Sequence, residues 1–210
     1  MDNTENRNPQ YRKFVKWANR IGNAGLIECS SGNLSHRIDA ESILVSESRR
    51  WLSKIKATQI VKIALEDGAI LSGNKPTGEL PLHLAVLRRN PKINTVLHCQ
   101  SPAATALACR NPEIVNYNVI IEVPIYIGTV THLPFIMPGS QELGDAVSAA
   151  SMKSSVIQLM NHGQVITGKS YKEVYQKAVF FEMACKIILF NSDQYNTLTF
   201  EQCEVLKGYR

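Results

Sequence analysis

The sequence predicts an α/β fold in which a central, mostly antiparallel sheet lies between two layers of helices. Short apolar runs typical of strands interleave with longer segments whose apolar residues recur about every three or four positions, as in amphipathic helices. Asp67-Gly68 separates two of the apolar runs and is typical of a hairpin turn, which makes neighbouring strands antiparallel. We therefore expect a three-layer α/β/α arrangement with a mixed, largely antiparallel sheet.

The helical segments are marked by their apolar faces and their first residues. The first predicted helix has an apolar face formed by Phe14, Trp17, Ala18 and Ile21. A second helix is expected to begin near Thr77 or Gly78, because Pro81 is tolerated only in a first turn. Ser170 and Glu173 form an S-x-x-E capping box that opens a long helix near the end of the chain.

Strands are predicted for the apolar runs that lie between these helices. They cover residues 43–46, 59–71 with the hairpin turn inside, 93–98 and 155–163, and a short helix is expected at 102–110. The runs at 93–98 and 155–163 carry histidines at their ends, His98 and His162.

Composition limits the protein class. With 210 residues, 44% of them hydrophobic and 20% charged, residues 1–210 are expected to form a single domain with a substantial core. No apolar run is long enough to cross a membrane, and the polar N-terminus does not resemble a secretory signal. Five scattered cysteines indicate free thiols in the cytoplasm. The net charge of +5 is dispersed, so we expect a small anionic substrate rather than nucleic acid.

Two polar segments are candidates for anion binding. The loop "CSSGNLS" contains Gly32, and such loops let backbone N–H groups approach an anion, although many are ordinary turns. Thr77 and Gly78 lie at a helix start, where unpaired N–H groups and the helix dipole favour a phosphate. Glu79 is in the same turn and either serves the site or compensates the dipole. His83 could be its partner, but we expect a solvent-exposed residue.

His98 and His162 are the candidate metal ligands. Each follows an apolar run and has a polar neighbour, Gln100 for His98 and Asn161 for His162. Histidines at strand ends face the clefts where ligands usually bind, and a pair of imidazoles suits zinc. A structural histidine at a strand end is the alternative for each of them taken alone.

Five segments in this order resemble the class II aldolase/adducin family across nearly the whole chain. They are "SSGNLSHR", "KPTGELPLH", "NPKINTVLHCQSPAATALA", "MNHGQVITG" and "AVFFEMACKI". The resemblance implies a mostly antiparallel sheet flanked by helices, and a cytoplasmic homotetramer whose active sites lie at subunit interfaces and hold one Zn²⁺ per subunit.

The resemblance also implies roles for individual residues. The metal ligands would be His98, Gln100 and His162, Glu79 would be the catalytic acid–base group, and Tyr209 would act on the distal hydroxyl of the substrate. The substrate phosphate would be bound by Gly32, Asn33, Ser48, Thr77 and Gly78.

Two positions depart from the family pattern. Thr77-Gly78 stands where the family has two serines, which removes one hydroxyl donor from the phosphate site. Gln100 stands where the family has a second histidine, and its neutral carbonyl oxygen is a poorer zinc ligand than imidazole. Three outcomes follow: Gln100 binds the metal through its oxygen, Glu79 completes the metal shell in the resting state, or no metal is bound. Because His98, His162 and Glu79 are all retained, we expect a metal.

The implied activity is zinc-dependent cleavage of a ketose 1-phosphate, namely L-fuculose 1-phosphate to dihydroxyacetone phosphate and L-lactaldehyde. The length and the stretch "MPGSQELGDAV" favour this activity within the family. Alternatives with the same architecture are pentulose-phosphate 4-epimerase and methylthioribulose-phosphate dehydratase. A metal-free, adducin-like assembly module is the alternative from outside enzymes.

Overall fold

The structure is a computed structural model that describes residues 8–110, 116–192 and 194–209. Within the described residues, eight strands form one sheet in the order β4-β3-β2-β1-β5-β8-β7-β6. The strands are β1 (Asn33–Arg37), β2 (Ser42–Ser46), β3 (Ile60–Ala64), β4 (Ile70–Ser72), β5 (Thr95–Cys99), β6 (Val130–Leu133), β7 (Val156–Leu159) and β8 (Gly163–Gly168). Every neighbouring pair is antiparallel except β6 and β7, which confirms the predicted sheet type.

Helices cover both faces of this sheet. They are α1 (Pro9–Gly22), α2 (Leu80–Arg89), α3 (Pro102–Ala108), α4 (Gln141–Ala150), α5 (Tyr171–Phe190) and α6 (Phe200–Lys207), with a π-helical turn at Val123–Ile127. No helix in the described part of the chain is long and apolar enough to cross a membrane.

The sheet separates two hydrophobic cores, because successive side chains of a strand point to opposite faces. Leu97 of β5 packs in the core beneath α1, α3 and α5, whereas its neighbour Val96 packs in the core beneath α2 and α4. Ile166 and Val165 of β8 divide between the same two cores. The continuous apolar runs in the sequence therefore reflect strands that are buried on both faces, and the three-layer prediction is confirmed.

Several element boundaries differ from those predicted. Helix α2 begins at Leu80, because residues 78–79 form a turn in which the Leu80 N–H donates to the Thr77 carbonyl oxygen. The run predicted as one strand at 155–163 ends at Leu159, and His162 lies in the tight turn that leads into β8. The Ser170 hydroxyl does cap α5, but the Glu173 carboxylate accepts from the Lys169 N–H rather than from Ser170.

The antiparallel order β1-β5-β8 brings the start of β1, the end of β5 and the start of β8 together at one end of the sheet. The first residue of β1 is Asn33, which lies opposite His98 near the end of β5. Cys99 is in turn opposite Gln164 at the start of β8. Residues separated by more than a hundred positions in the sequence are therefore neighbours at this end.

A buried carboxylate fixes the helix that follows β5. Glu182 of α5 is buried, and its two side-chain oxygens accept the backbone N–H groups of Ala103 and Ala104, at 3.1 and 3.0 Å. These donors belong to the first turn of α3 and would otherwise be unpaired. The helix dipole adds to the attraction between the carboxylate and this end of α3.

We predict that Glu182→Leu lowers the free energy of unfolding by about 2–4 kcal/mol, because two buried N–H groups lose their acceptor. Urea unfolding followed by circular dichroism measures this difference. Glu204→Leu, on the half-exposed face of α6, is the matched control and should change the stability by less than about 0.5 kcal/mol. Equal stabilities of the two variants would contradict the role given to Glu182.

Candidate active site

The two candidate metal ligands lie side by side. The ring centroids of His98 and His162 are 4.7 Å apart, and the ring planes are tilted by 60°. His98 is buried near the end of β5, whereas His162 is partly buried in the turn before β8. One small ion can reach both rings at this separation, so the structure brings together the two histidines that the sequence singles out.

Hydrogen bonding prepares His98 for a ligand. Its Nδ1 lies 3.0 Å from the backbone carbonyl oxygen of Gln164, so Nδ1 carries the proton and Nε2 has a free lone pair. Burial and the neighbouring His162 lower the pKa of His98 to about 3. Burial also lowers the pKa of His162, whose Nδ1 is buried without a hydrogen-bond partner among the described residues. Both rings are therefore neutral near pH 7, as metal ligands must be.

A close backbone approach holds Gln100 against the turn that carries His162. A Cβ atom at Gly163 would lie 2.5 Å from the carbonyl oxygen of Cys99 and 2.9 Å from Cγ of Gln100. Its φ of 156° also disfavours any other residue. Gln100 thus lies against the turn between β7 and β8 that carries His162. In the described residues, no third His, Cys, Asp or Glu completes a metal cluster with the two histidines.

The buried side chain of Gln164 fixes the loop after Gln100. Its Oε1 accepts the backbone N–H of Ser101 at 3.1 Å and the Ser101 hydroxyl at 3.0 Å. Its Nε2 donates to the hydroxyl of Thr105 on α3. One glutamine therefore orients His98 through its backbone and the adjoining loop through its side chain.

The loop before β1 meets the same end of the sheet. Asn33 is buried and is the cross-strand partner of His98. A Cβ atom at Gly32 would lie 2.5 Å from the side chain of Ile27 and 3.1 Å from the His98 carbonyl oxygen, so a larger residue would have to displace Ile27. The hydroxyl of Ser31 is buried without a partner in the described chain. Ser31 was not among the residues predicted for the phosphate site, although it lies inside the quoted loop.

His83 is buried, and the expectation that it faces solvent is wrong. No part of its surface is exposed, and it bonds Asn33 Oδ1 through Nε2 at 2.5 Å and Ser35 Oγ through Nδ1 at 2.7 Å. Burial and the neighbouring His98 lower its pKa to about 3. His83 lies three residues after Leu80 and four before Leu87, so helical periodicity places it on the apolar face that packs on the sheet, and only its polar side chain suggested solvent.

The turn before α2 holds Thr77, Gly78 and Glu79 in place. The Glu79 backbone N–H donates to the Thr77 hydroxyl oxygen at 3.3 Å, and the Glu79 carboxylate accepts the backbone N–H of Gly139. Oε2 of Glu79 is buried without a partner among the described residues. Burial raises the pKa of Glu79 above its ordinary value of 4.5, which suits a group that carries a proton during a reaction. A Cβ atom at Gly78 would meet nothing within 4 Å, so this position is open to a ligand.

The Ser48 loop adjoins this turn. The Ser48 backbone N–H donates to the Lys75 carbonyl oxygen, and Thr77 donates to Ser46 in the same way, at 3.0 and 3.1 Å. Ser46 in turn accepts the backbone N–H of Leu34, next to Asn33, through its hydroxyl. The five predicted phosphate residues therefore occupy linked segments. Arg50, adjacent to them, pairs with Glu47 at 2.7 Å.

Tyr209 is not part of this cluster within the chain. It lies beyond α6, which packs against the π-helical turn, and 76% of its surface is exposed. Its catalytic role therefore stays a prediction.

Comparison with known proteins identifies relatives over most of the chain. The family model described as "Class II Aldolase and Adducin N-terminal domain" matches residues 12–189. A 3-oxo-tetronate 4-phosphate decarboxylase of Escherichia coli is 30% identical over 87% of this chain and 87% of its own. An L-fuculose phosphate aldolase of Methanocaldococcus jannaschii is 29% identical over 86% of this chain and 96% of its own.

Solved structures share the fold. The crystal structure of YgbL from Escherichia coli matches with a TM-score of 0.88 and 26% identity, covering 94% of this chain and 97% of that one. An L-fuculose 1-phosphate aldolase matches with a TM-score of 0.85 and 20% identity, covering 95% and 94%. The second likeness, at this identity, supports the fold alone.

We predict that chelator-treated wild-type protein loses stability relative to Glu79→Gln as the pH rises above 4.5, the ordinary pKa of this group. Folded Glu79 keeps its proton to a higher pH than the unfolded chain does, so unfolding releases a proton in this window and becomes easier as the pH rises. Urea unfolding of both proteins between about pH 4 and pH 8 measures the difference. A stability difference that stays constant or changes in the opposite direction would contradict the raised pKa.

Proposed function

Because this chain belongs to the class II aldolase and adducin family, we propose that it is a metal-dependent lyase. It would break the bond between the carbon adjoining the keto group and the carbon beyond it in a phosphorylated sugar or sugar acid, so that the electron pair stays on the carbon adjoining the keto group. The paired rings of His98 and His162, 4.7 Å apart beside a polar loop, carry this proposal. Neutral imidazoles have lone pairs that can bind a metal. If these side chains served only packing, apolar residues could take their place.

The metal would be Zn²⁺, one per subunit, held by the two histidines with the side-chain oxygen of Gln100 as a third donor. The buried and unpaired Nδ1 of His162 and the fixed tautomer of His98 support this assignment. A bound zinc ion would supply Lewis-acid stabilisation of negative charge on the keto oxygen of the substrate. Since Gln100 is neutral and less basic than imidazole, this site would hold zinc more weakly than one with three histidines.

The phosphate would be bound across the two linked segments. Asn33 and the backbone at Gly32 contribute donors from one side, and Ser48, Thr77 and the open position at Gly78 contribute from the other. The unpaired Ser31 hydroxyl supplies a donor that partly replaces the one lost at Gly78. Donors from two loops and one helix start together suit a dianionic group.

Glu79 would deliver a proton to carbon. When the carbon–carbon bond breaks, its electron pair moves into the adjoining carbonyl system, and the resulting enolate must be protonated at carbon. A carboxyl group with a raised pKa carries that proton near neutral pH. Helix α2 joins Glu79 to the histidines, because His83, one turn along, bonds the Asn33 that lies opposite His98.

Two substrates are the leading candidates. Decarboxylation of a 3-oxo-tetronate 4-phosphate is supported by the similarity to the Escherichia coli decarboxylase, and it requires only one proton donor because CO₂ leaves unprotonated. Cleavage of L-fuculose 1-phosphate is supported by the similarity to the archaeal aldolase, and it requires a second group for the distal hydroxyl. Tyr209 could fill that role only if a neighbouring subunit of a homotetramer brings it to the site.

The test is to assay both substrates with the purified protein. Release of CO₂ from the first and formation of dihydroxyacetone phosphate from the second are followed before chelation, after chelation and after zinc is restored. We expect turnover of one substrate that is lost on chelation and regained with zinc. Absence of metal-sensitive turnover of either substrate would reject the proposed function.

We predict that Glu79→Gln lowers kcat about 10²- to 10⁴-fold, because the amide cannot deliver a proton to carbon. Glu66→Gln, on the exposed β3–β4 hairpin, is the matched control and should retain the wild-type rate. Zinc content, measured in both variants, separates loss of the proton donor from loss of metal. Wild-type activity in Glu79→Gln would remove this residue from the mechanism.

We also predict that Gln100→His tightens zinc binding by at least about tenfold, because imidazole is a stronger zinc ligand than an amide oxygen. Competition with a chromophoric chelator gives the zinc dissociation constant. The control is Gln10→His, which adds a histidine on the exposed side of α1 and should leave that constant unchanged. If both variants release zinc like the wild type, residue 100 does not face the metal.

A further inference from the structure

The buried contact between α2 and β1 contains three polar side chains in a row. Ser35 Oγ lies 2.7 Å from His83 Nδ1, and His83 Nε2 lies 2.5 Å from Asn33 Oδ1. All three residues are buried, and Asn33 and Ser35 are on the same strand, β1. The contact is therefore isolated from solvent and has a defined direction.

The direction follows from the chemistry of the acceptors. Asn33 Oδ1 can only accept a hydrogen bond, so Nε2 of His83 must carry a proton. Because burial keeps the ring neutral, Nδ1 is unprotonated and accepts the hydroxyl proton of Ser35. Each hydrogen bond in the row then has one donor and one acceptor, from Ser35 through His83 to Asn33.

These hydrogen bonds fix the orientation of the Asn33 amide. Its oxygen is occupied by His83, so its NH₂ group is the end that remains for a ligand. An amide whose orientation is not fixed could instead present its oxygen, which repels an anion. We propose that His83 is a positioning residue that orients the Asn33 amide so that its N–H groups face the substrate phosphate. This inference rests on the proposed phosphate site, and it assigns to His83 the selectivity of that site for an anionic group.

His83 also connects the phosphate loop to the catalytic turn through its backbone. The His83 backbone N–H donates to the Glu79 carbonyl oxygen at 3.3 Å, and Asn33 is the cross-strand partner of His98. A change at His83 therefore reaches residues on both sides of the site. For this reason the test has to separate an effect through Asn33 from a general loosening of the fold.

A double-mutant cycle makes that separation. Binding of inorganic phosphate is measured by calorimetry for the wild type, His83→Phe, Asn33→Ala and the double variant. We expect His83→Phe and Asn33→Ala each to weaken binding about tenfold, as loss of one hydrogen bond to a charged group would. In the Asn33→Ala background, His83→Phe should add less than about a twofold effect. His83→Gln, whose amide can donate to Asn33 and accept from Ser35, should restore affinity to near the wild-type value.

Nitrogen NMR of the histidine rings tests the direction without a disruptive substitution. The wild-type spectrum should show His83, assigned by its absence from the His83→Gln spectrum, as the neutral ring protonated at Nε2. A ring protonated at Nδ1 would overturn the proposal. This measurement tests the proposal even if His83→Phe does not fold.

The outcomes are distinct from those that decide the lyase activity. Additive losses in the cycle would overturn the positioning role while leaving Asn33 in the phosphate site. Unchanged phosphate affinity in Asn33→Ala would overturn it by removing Asn33 from that site. Metal-sensitive turnover of the wild type is measured separately, and neither result changes what it says about the proposed lyase activity.

Discussion

The approach of the β7–β8 turn to the end of β5 is the constraint on which the site depends. Only a glycine at position 163 lets this turn lie against the carbonyl oxygen of Cys99, since a Cβ atom there would be 2.5 Å from it. That contact brings the ring of His162 beside the ring of His98 and packs Gln100 between strand end and turn. With any larger residue the turn would have to move away, and the two imidazoles would separate.

Buried polar side chains surround this point, and each fixes a different segment. Gln164 orients His98 and the loop that follows β5, Glu182 holds the first turn of α3, and His83 ties α2 to the start of β1. A buried polar group without partners is costly, so these residues are stable only in the arrangement that satisfies them. Three of the six buried atoms without a partner among the described residues, on Ser31, Glu79 and His162, lie in the segments assigned to ligands.

The sequence could predict the sheet type and the main site residues, because local patterns carry that information. The Asp67-Gly68 turn indicated antiparallel pairing, and two histidines after apolar runs indicated a shared site. It could not predict the register that places Asn33 opposite His98, since pairing between distant strands leaves no local pattern. His83 was misjudged because its polar side chain suggested solvent, although it shares a helix face with Leu80 and Leu87; buried partners on β1 satisfy its ring. Element boundaries, such as the end of β7 before the turn at His162, also depend on tertiary packing that local patterns do not show.

The central claim is that His98 and His162 share one metal ion. X-ray absorption spectroscopy at the zinc edge of the zinc-loaded protein tests it most directly. The account predicts two imidazole nitrogens at about 2.0–2.1 Å with the remaining ligands oxygen. The imidazole signal should decrease by one ligand or disappear in either His98→Ala or His162→Ala. A zinc shell without imidazole, or one unchanged in both variants, would contradict it.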